Sequence, residues 1–251
     1  MQRYFIPADN WLDEQVVITG NDTHHISHVM RFQAGNKIIC NHPEGKAAIC
    51  EITLLNNDEI HAVVKDWLDE SNELPVSVTI AQGLPKSDKL ELVLQKGTEL
   101  GAAAFIPVQA ERSVVVWDGK KEEKKLVRFS KIVKEASEQS HRNKIPQISQ
   151  VVSTEKLIEE SSEYDVKLFA YEEEAKTIDF QSFGTIISKL ETGNRVLVCI
   201  GPEGGFSDNE ATLLKENGFF SVRLGPRILR TETAALYVLA SISYQFEELG
   251  C

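Results

Sequence analysis

The chain has 251 residues, 42% of them hydrophobic and 26% charged, and it carries a net charge of −11 at pH 7. This is the composition of an ordinary folded protein, and the length suits one large domain or two modest ones. Because phosphate contacts need cations, the acidic balance excludes a generally basic nucleic-acid-binding surface and leaves room only for a local basic patch.

Sequence signals of export and of metal or redox chemistry are missing. No apolar run approaches the length of a membrane span, and the first residues lack the pattern of a secretory signal. The four cysteines have neither metal nor redox spacing, which favours reduced thiols. We therefore expect a cytoplasmic protein without membrane association.

Residues 1–72 predict a small β-barrel, because short apolar runs alternate there with turn signals. The strand candidates are residues 16–18, 37–40, 47–54 and 59–64. This part of the chain holds five Lys/Arg against eleven Asp/Glu. Within it, Arg3 and Arg31 are candidate phosphate contacts, and the alternative is that they are ordinary surface arginines.

A histidine cluster raises the question of a metal. His24 and His28 are four residues apart and would share one face of a helix. Zinc proteases need a Glu between two such histidines, and no such Glu is present, since His25 follows His24 directly. We expect no metal, and instead a helical turn that is packed or faces RNA.

From residue 73 onwards the pattern changes to alternating strands and helices. A polar linker ends at Pro75, and a strand at 76–81, a helix capped by Ser87 and a strand at 103–108 follow it. Such a βαβ unit predicts a parallel sheet and an α/β domain. Lys86, at the start of the helix, is a candidate RNA contact, although a solvated helix start explains it equally well.

A basic helix is predicted over about residues 121–141. Residues 120–144 contain nine Lys/Arg and four Glu, so this is the local basic patch that RNA binding would require. A charge run of this kind often marks only a solvated helix face, but the cations, amide and imidazole that end it suit phosphates and bases. The RNA-contact candidates in this region are Lys134, His141, Arg142 and Lys144.

Two Gly-Pro loops form the most informative pattern. A Gly-Pro-Glu-Gly-Gly run at 201–205 follows a strand-like run at 195–200, and Ser207 and Glu210 then have the spacing of a helix capping box. A second strand–loop–helix unit repeats the arrangement at 225–234. Neither loop is a P-loop or a dinucleotide fingerprint. We therefore expect a ligand held by backbone amides and apolar walls at one sheet edge.

These loops resemble the SPOUT class of methyltransferases, and most closely the RsmE family, which methylates N3 of a uridine in 16S ribosomal RNA. The resemblance runs along the whole chain, including residues 3–5, 24–31, 95–101 and 138–143. It implies an α/β fold in which a knotted SPOUT methyltransferase domain with a parallel sheet, at 73–251, is preceded by a small PUA-like β-barrel RNA-binding domain at 1–72.

The resemblance also implies the partners. S-adenosyl-L-methionine is the expected methyl donor, the small ribosomal subunit and its 16S ribosomal RNA are the expected substrate, and a homodimer is expected. The donor-site residues implied are Tyr171, Glu172, Ile200, Gly201, Pro202, Glu203, Gly204, Leu224, Gly225, Ile228, Leu229, Arg230, Thr233 and Ala234.

Three residues are candidates for the chemistry. Arg230 would steady the uracil oxygens or a developing anion, and Glu203 or Glu232 would accept a proton if the pKa of its carboxyl were raised. Each Glu has a structural alternative, Glu203 as a helix-end ligand and Glu232 as a first-turn acid favoured by the helix dipole. Two other functions stay open: a SPOUT enzyme acting on another RNA, such as a transfer RNA ribose 2′-oxygen, and a non-catalytic ribosome-assembly factor.

Overall fold

The computed structural model describes residues 1–56, 58–117, 119–171 and 182–250. Its internal contacts divide the chain into two compact units. The first consists of Met1–Glu73 and Ser137–Ile145, and the second of Leu74–Ala136 and Pro146–Cys251. Ser137–Ile145, which we call the return segment, thus belongs to the first unit. The prediction had placed all residues after 72 in the second domain.

The first unit is a curled β-sheet with the strand order β1-β4-β5-β6-β3-β2. Its strands are β1 (Arg3–Phe5), β2 (Trp11–Leu12), β3 (Gln15–Thr19), β4 (Lys37–Asn41), β5 (Ala47–Leu55) and β6 (Glu59–Leu68). All pairings between neighbours are antiparallel except that of β1 with β4. Alternate residues such as Val16, Ile18, Ile52 and Ile60 are buried and form its core, as expected for strands with one face inward.

A helical turn connects β3 to β4. It begins as α1 (Asn21–His24) and continues as a π-helical turn over His25–Val29. Ile26 faces the core of the first unit, whereas His24 and His28 are exposed and their rings stack at a centroid distance of 4.7 Å. A short 3-10 turn at Ala8–Asn10 precedes β2.

The second unit contains a parallel sheet, which confirms the predicted α/β class. Its main strand order is β10-β8-β7-β12-β11-β13, with β9 beside β8. The strands are β7 (Ser77–Gly83), β8 (Ala104–Gln109), β9 (Gln147–Ile148), β10 (Val152–Ser153), β11 (Val166–Ala170), β12 (Arg195–Ile200) and β13 (Phe220–Val222). Residues 196–200 are all buried, as expected for a central strand covered on both faces.

Helices alternate with these strands. They are α2 (Lys89–Glu99), α3 (Gly119–Gln139), α4 (Thr154–Glu159), α5 (Phe183–Ile187), α6 (Asp208–Glu216) and α7 (Thr231–Ser243), which continues as a π-helical turn over Tyr244–Glu248. A 3-10 turn, Glu160–Glu163, follows α4. Among the described residues, no helix is both long and apolar enough to cross a membrane.

One predicted helix boundary needs a correction. Ser87 is not the N-cap of α2: it has a φ of +57°, and Asp88 occupies the cap position without a side-chain capping bond. The last helix begins at Thr231, within the second strand–loop–helix unit predicted at 225–234. Helix α5 occupies Phe183–Ile187, and residues 172–181 before it lie outside the described residues.

Candidate active site

Four neighbouring parallel strands end at one edge of the second unit. In the register of the sheet, Ile200 of β12 lies opposite Gln82 of β7 and Ala170 of β11. Ala170 in turn lies opposite Val222 of β13. Since the carboxyl ends of parallel strands share one edge, the segments that follow them meet there, and this edge is where open α/β sheets bind ligands.

The first Gly-Pro loop ends in the predicted capping box. Ser207 Oγ accepts from the backbone N–H of Glu210 at 3.1 Å, and Glu210 Oε2 accepts from that of Ser207 at 2.9 Å. The other carboxylate oxygen of Glu210 accepts from Thr154 Oγ1 at 2.7 Å and from the backbone N–H of Glu111 at 3.0 Å. Glu210 therefore fixes the end of the loop to two other parts of the second unit.

A hydrogen-bond chain that the sequence analysis missed ties three of the converging segments together. Thr231 Oγ1, at the start of α7, donates to the carbonyl of Gly201 at 2.6 Å and accepts from Gln82 Nε2 at 2.7 Å. Gln82 is fully buried, and its Nε2 also donates to the carbonyl of Gly83 at 3.1 Å. Both residues lie in segments read only as a strand and a helix start, so no sequence signal marked them.

We expect Thr231→Val to weaken the second unit and its ligand affinity together. Valine keeps the shape of the side chain but removes the donor to the Gly201 carbonyl and leaves the Gln82 amide with only its bond to the Gly83 carbonyl. Such buried unsatisfied groups cost about 1–3 kcal/mol each. Urea unfolding would give the loss in stability and calorimetric titration the loss in donor affinity. Thr231→Ser keeps the hydroxyl and should restore both; a serine variant as weak as valine would contradict this role of the hydroxyl.

Close backbone approach also shapes the first loop. A Cβ on Gly83 would lie 2.5 Å from the backbone N of Pro202 and 2.9 Å from the carbonyl carbon of Gly201. On the other side, Arg112 Nη1 donates to the carbonyl of Gly204 at 3.2 Å. A glycine at position 83 is thus required by the packing of its segment against the first loop.

The second Gly-Pro loop is more open. Gly225 has a φ of +84°, and a Cβ there would meet no atom within 4 Å. Its carbonyl accepts from Arg223 Nε at 2.8 Å. Ile228 is 77% exposed, whereas Leu224 is buried. A left-handed glycine beside open space and an uncovered apolar side chain are features of a loop that a ligand can approach closely.

A lysine not assigned to the site by the sequence analysis stands between the two candidate bases. Lys89 Nζ lies 2.8 Å from Glu203 Oε1 and 3.4 Å from Glu232 Oε2. The backbone N–H of Lys86 also donates to Glu203, at 3.1 Å. The ion pair with Glu203 raises the pKa of the Lys89 ammonium, and Glu232 adds to this.

The same contacts correct the expectation for Glu203. Partial burial works to raise the pKa of its carboxyl, but the hydrogen bond from Lys89 and those from backbone N–H groups outweigh burial and leave the pKa below its ordinary value. A raised pKa was the condition for proton acceptance, and Glu203 does not meet it. Its contacts favour the structural alternative, a carboxylate that fixes the start of α2.

Because the pKa of Glu203 is lowered in the folded state, its carboxylate stabilises the protein above the unfolded-state pKa, about 4.3. That contribution is lost as the pH falls through the folded-state pKa, which is lower still. We expect the unfolding free energies of wild type and Glu203→Gln to differ by a constant amount from pH 7 down to about pH 5, and the difference to shrink as the pH falls below about 4. Urea unfolding at stepped pH would test this, and a difference as large at pH 3 as at pH 7 would contradict the ion pair as its source.

The remaining predicted donor-site residues are arranged around the same edge. Tyr171 directly follows β11, and its hydroxyl lies 3.3 Å from Asp208 Oδ1. Glu172 lies outside the described residues. Pro202 and Ala234 are buried, whereas Thr233 is exposed in the first turn of α7. Leu229 is half-buried, and Arg230 is exposed at the N-cap of α7.

Two predicted RNA contacts of the first unit are buried instead. Arg3 is 1% exposed, donates to Asn41 Oδ1 at 3.3 Å and pairs with Glu70 at 2.6 Å. Arg142, in the return segment, is 3% exposed and forms a short ion pair with Glu73. Neither guanidinium is placed to contact a phosphate, because each is buried and forms an ion pair with a carboxylate of the same unit.

The other RNA-contact candidates are more accessible. Arg31, His141 and Lys144 are exposed in the first unit, Lys86 is exposed in the second, and Lys134 is half-buried on α3. In the part of the chain that the structure describes, no group of three or more His, Cys, Asp or Glu side chains is placed to hold a metal ion.

Comparison with known proteins gives a consistent family. A family model described as an RNA methyltransferase domain matches residues 72–243, and one described as an RNA methyltransferase PUA domain matches residues 18–65. The chain is 48% identical to the ribosomal RNA small subunit methyltransferase E of Bacillus subtilis (strain 168), over 99% of this chain and 98% of that protein. It is 34% identical to the enzyme of the same name from Mycobacterium bovis, over 90% and 85% of the two chains.

A solved structure agrees with these matches. The crystal structure of a ribosomal RNA small subunit methyltransferase E from Neisseria gonorrhoeae, bound to S-adenosyl methionine, has a TM-score of 0.84 and 29% identity over 98% of both chains. The curled sheet and the parallel sheet are therefore a PUA-like unit and a SPOUT unit, as predicted. On these identities, over nearly the whole length of both proteins, the chain belongs to the ribosomal RNA small subunit methyltransferase E family.

Proposed function

We propose that the protein transfers a methyl group from S-adenosyl-L-methionine to N3 of a specific uridine in the 16S ribosomal RNA of the small subunit. The observation that carries this is the edge where β7, β12, β11 and β13 end and both Gly-Pro loops meet, in a chain of this family. The names of the relatives supply the small-subunit RNA, and the resemblance to the RsmE family supplies the uridine and its N3.

The residues at the edge fit the methyl donor. Gln82 Oε1 is a buried acceptor with no hydrogen-bond donor among the described residues, so a ligand amine or hydroxyl next to the first loop would satisfy it. The left-handed Gly205 and Gly225 both face open space. Leu224 and Ile228 provide apolar surface on the second loop. Such a mixture of fixed polar groups and apolar walls is usual for a small-molecule site.

When bound, S-adenosyl-L-methionine supplies a methyl group that its sulfonium already makes electrophilic. The work left to the protein is to position the base, exclude water and prepare the nucleophile. N3 of neutral uracil carries a proton, so this proton must leave as the N–CH3 bond forms, or the anion must be stabilised. We assign the stabilising charge to Arg230.

The proton acceptor is better sought at Glu232 than at Glu203. Glu203 is held by Lys89 and by the backbone of Lys86 with a lowered pKa. The Glu232 side chain is 12% exposed and lies at the longer distance of 3.4 Å from Lys89. Its carboxylate is therefore held less closely by Lys89 than that of Glu203.

The assembly and setting follow from the family resemblance and are part of the proposal. We propose a cytoplasmic homodimer in which the SPOUT chain end forms a trefoil knot. The exposure of Tyr237 (41%) and Tyr244 (58%) supports a second subunit, since they form an uncovered aromatic stripe along α7 and the turn that continues it. The first unit is proposed to bind RNA while the second holds the donor.

Methyl transfer from labelled S-adenosyl-L-methionine to unmodified small ribosomal subunits tests the function, with transfer RNA as the comparison. We expect label at N3 of one uridine of 16S ribosomal RNA, located by mass spectrometry of nuclease fragments. Label on transfer RNA would contradict the substrate, and donor binding without transfer to either RNA would favour a non-catalytic assembly factor.

A further inference from the structure

The carboxylate of Glu73 holds three consecutive residues of the return segment. Arg142 donates to it through Nε at 3.3 Å and through a shorter bond from Nη2. The backbone N–H groups of Asn143 and Lys144 donate to Glu73 Oε1 at 2.9 and 3.0 Å. Because two of these donors are main-chain groups, Glu73 fixes the path of the chain as well as one side chain.

Neighbouring amides complete the attachment. The backbone N–H of Asn72 donates to Asn143 Oδ1 at 2.9 Å, and Asn72 Nδ2 donates to the carbonyl of His141 at 2.8 Å. Asn41 Nδ2 donates to the carbonyl of Arg142 at 2.7 Å. The polar backbone of the segment is thus bonded from two directions within the first unit.

The consequence is a strict division between inward and outward side chains. Arg142 and Asn143 are 3% and 2% exposed, whereas His141 and Lys144 on either side of them are exposed. His141 has a φ of +60°, a conformation that a non-glycine residue keeps only where its surroundings hold it. The hydrogen bonds described above supply that hold and direct two basic side chains outward.

The turn between β4 and β5 supports one of these side chains. A Cβ on Gly45 would lie 2.9 Å from Cε of Lys144, so the lysine stem lies directly over this glycine. Lys46 follows Gly45, is 69% exposed and pairs with Glu44 at 3.6 Å. A surface pair of this length contributes little to stability, so Lys46 can exchange Glu44 for a phosphate at small cost.

We propose that His141, Lys144 and Lys46 form an RNA-contacting edge of the first unit and that Glu73 is the positioning residue that builds it. The partner is the sugar–phosphate backbone of RNA, because two lysine ammonium groups and an imidazole N–H donor held in a fixed frame suit phosphate contacts that set register without reading sequence. This inference rests on the proposed function for the choice of RNA, and it explains why an acidic unit carries a local cationic surface. The role of Glu73 is indirect, since its own carboxylate is occupied.

The first test is binding of a 16S ribosomal RNA transcript to Lys144→Ala. We expect the affinity to fall about fivefold at 100 mM salt and the slope of log affinity against log salt to decrease by about 0.7–0.9, as for loss of one phosphate contact. Lys37→Ala, an equal change of charge at an exposed site on β4, should leave both unchanged. Wild-type affinity and slope in Lys144→Ala would overturn the edge.

Glu73→Gln tests the positioning role, because the two explanations predict opposite signs. Removing a negative charge from a protein of net charge −11 should raise RNA affinity if only the overall field matters. Loss of the fixed frame should instead lower it, about threefold or more. In the Lys144→Ala background the effect of Glu73→Gln should shrink, since coupled residues are not additive. A rise in affinity, or an equal fall in both backgrounds, would overturn the role of Glu73.

Asn72→Ala provides a second variant if Glu73→Gln does not fold. It removes the bond to the His141 carbonyl without changing charge, and we expect a smaller loss of RNA affinity with unchanged binding of S-adenosyl-L-methionine. Full RNA affinity in this variant would count against the frame. Since these measurements are of RNA binding alone, they stand even if the methylated atom is not N3 of a uridine, and methyl transfer tests that point separately.

Discussion

Arg230→Ala is expected to lower kcat for methyl transfer about 10²- to 10³-fold while changing the affinity for S-adenosyl-L-methionine by no more than about threefold. The size is that of removing one group that stabilises charge developing in the transition state. The side chain of Arg230 forms no ion pair among the described residues, because the candidate acids Glu203 and Glu232 both pair with Lys89 instead. The guanidinium is therefore available to an anion.

The backbone of Arg230 is nevertheless well held. It is the N-cap of α7 with φ −64° and ψ 152°, and its carbonyl accepts from the backbone N–H of Ala234 at 2.8 Å. The first N–H groups of a helix carry partial positive charge, so an anion beside this residue is stabilised by both the guanidinium and the helix end. An exposed side chain on a fixed backbone is suited to a substrate that arrives from solvent.

A matched control is present in the same loop. Arg227 is also exposed, and Arg227→Ala removes the same charge three residues earlier. We expect little change in kcat for this variant and an intermediate kcat for Arg230→Lys, which keeps the charge but not the planar fork. Equal losses in Arg227→Ala and Arg230→Ala would show a general effect of charge on RNA affinity. Loss of donor binding in Arg230→Ala would make it a donor-binding residue.

Local sequence signals were sufficient for the framework of the site. The capping box of Ser207 and Glu210, the strand at 195–200 and the parallel sheet were all predicted, because the pattern that indicates each of them is read from residues close together in the chain. A glycine-rich run between a strand and a cap indicates a tight loop in which some residues take left-handed backbone angles, as Gly205 does. Capping boxes and glycine turns are set by neighbouring residues, so they can be predicted without knowing which distant residues they contact.

Contacts between distant residues were not predictable. Gln82 and Thr231 are 149 residues apart in the chain, and nothing in either segment distinguishes a glutamine at a strand end or a threonine at a helix start. The buried ion pairs were missed for a related reason. Glu70 and Glu73 lie in a stretch that reads as a polar linker, so Arg3 and Arg142 had no visible partners and were predicted to be exposed.

The direction of the pKa shift of Glu203 was likewise not predictable from the sequence. The sequence placed it in a loop beside a ligand site, where either a raised or a lowered pKa is possible. The direction depends on Lys89, which is 114 residues away, and on the backbone of Lys86. Composition and spacing thus located the carboxylate, but only the folded arrangement of these donors determines its protonation.

The largest effect on donor binding is expected from Gly83→Ala. A methyl group at this position would lie 2.5 Å from the backbone N and 2.6 Å from Cδ of Pro202. No flexible side chain can rotate away to relieve the contact, because the atoms it meets belong to backbone and to a proline ring. The first Gly-Pro loop must therefore move, and with it Gly201 and its hydrogen bond from Thr231.

We expect this variant to lose about 1–3 kcal/mol of unfolding free energy, the usual cost of overpacking. Its affinity for S-adenosyl-L-methionine should fall about 100-fold, since displacement of the loop by about 1 Å disrupts a fixed site. Gly119→Ala makes the same chemical change at the first residue of α3, where a Cβ would meet no atom within 4 Å. That control should be neutral or slightly more stable.

The combination of the two measurements locates the cause. Loss of both stability and donor affinity in Gly83→Ala, with neither lost in Gly119→Ala, is the result expected if the end of β7 sets the position of the first loop. Lost stability with donor affinity intact would mean that the loop can shift without changing the donor site. In that case the site would depend on the second loop, where Gly225 and the N-terminus of α7 would have to provide the ligand contacts.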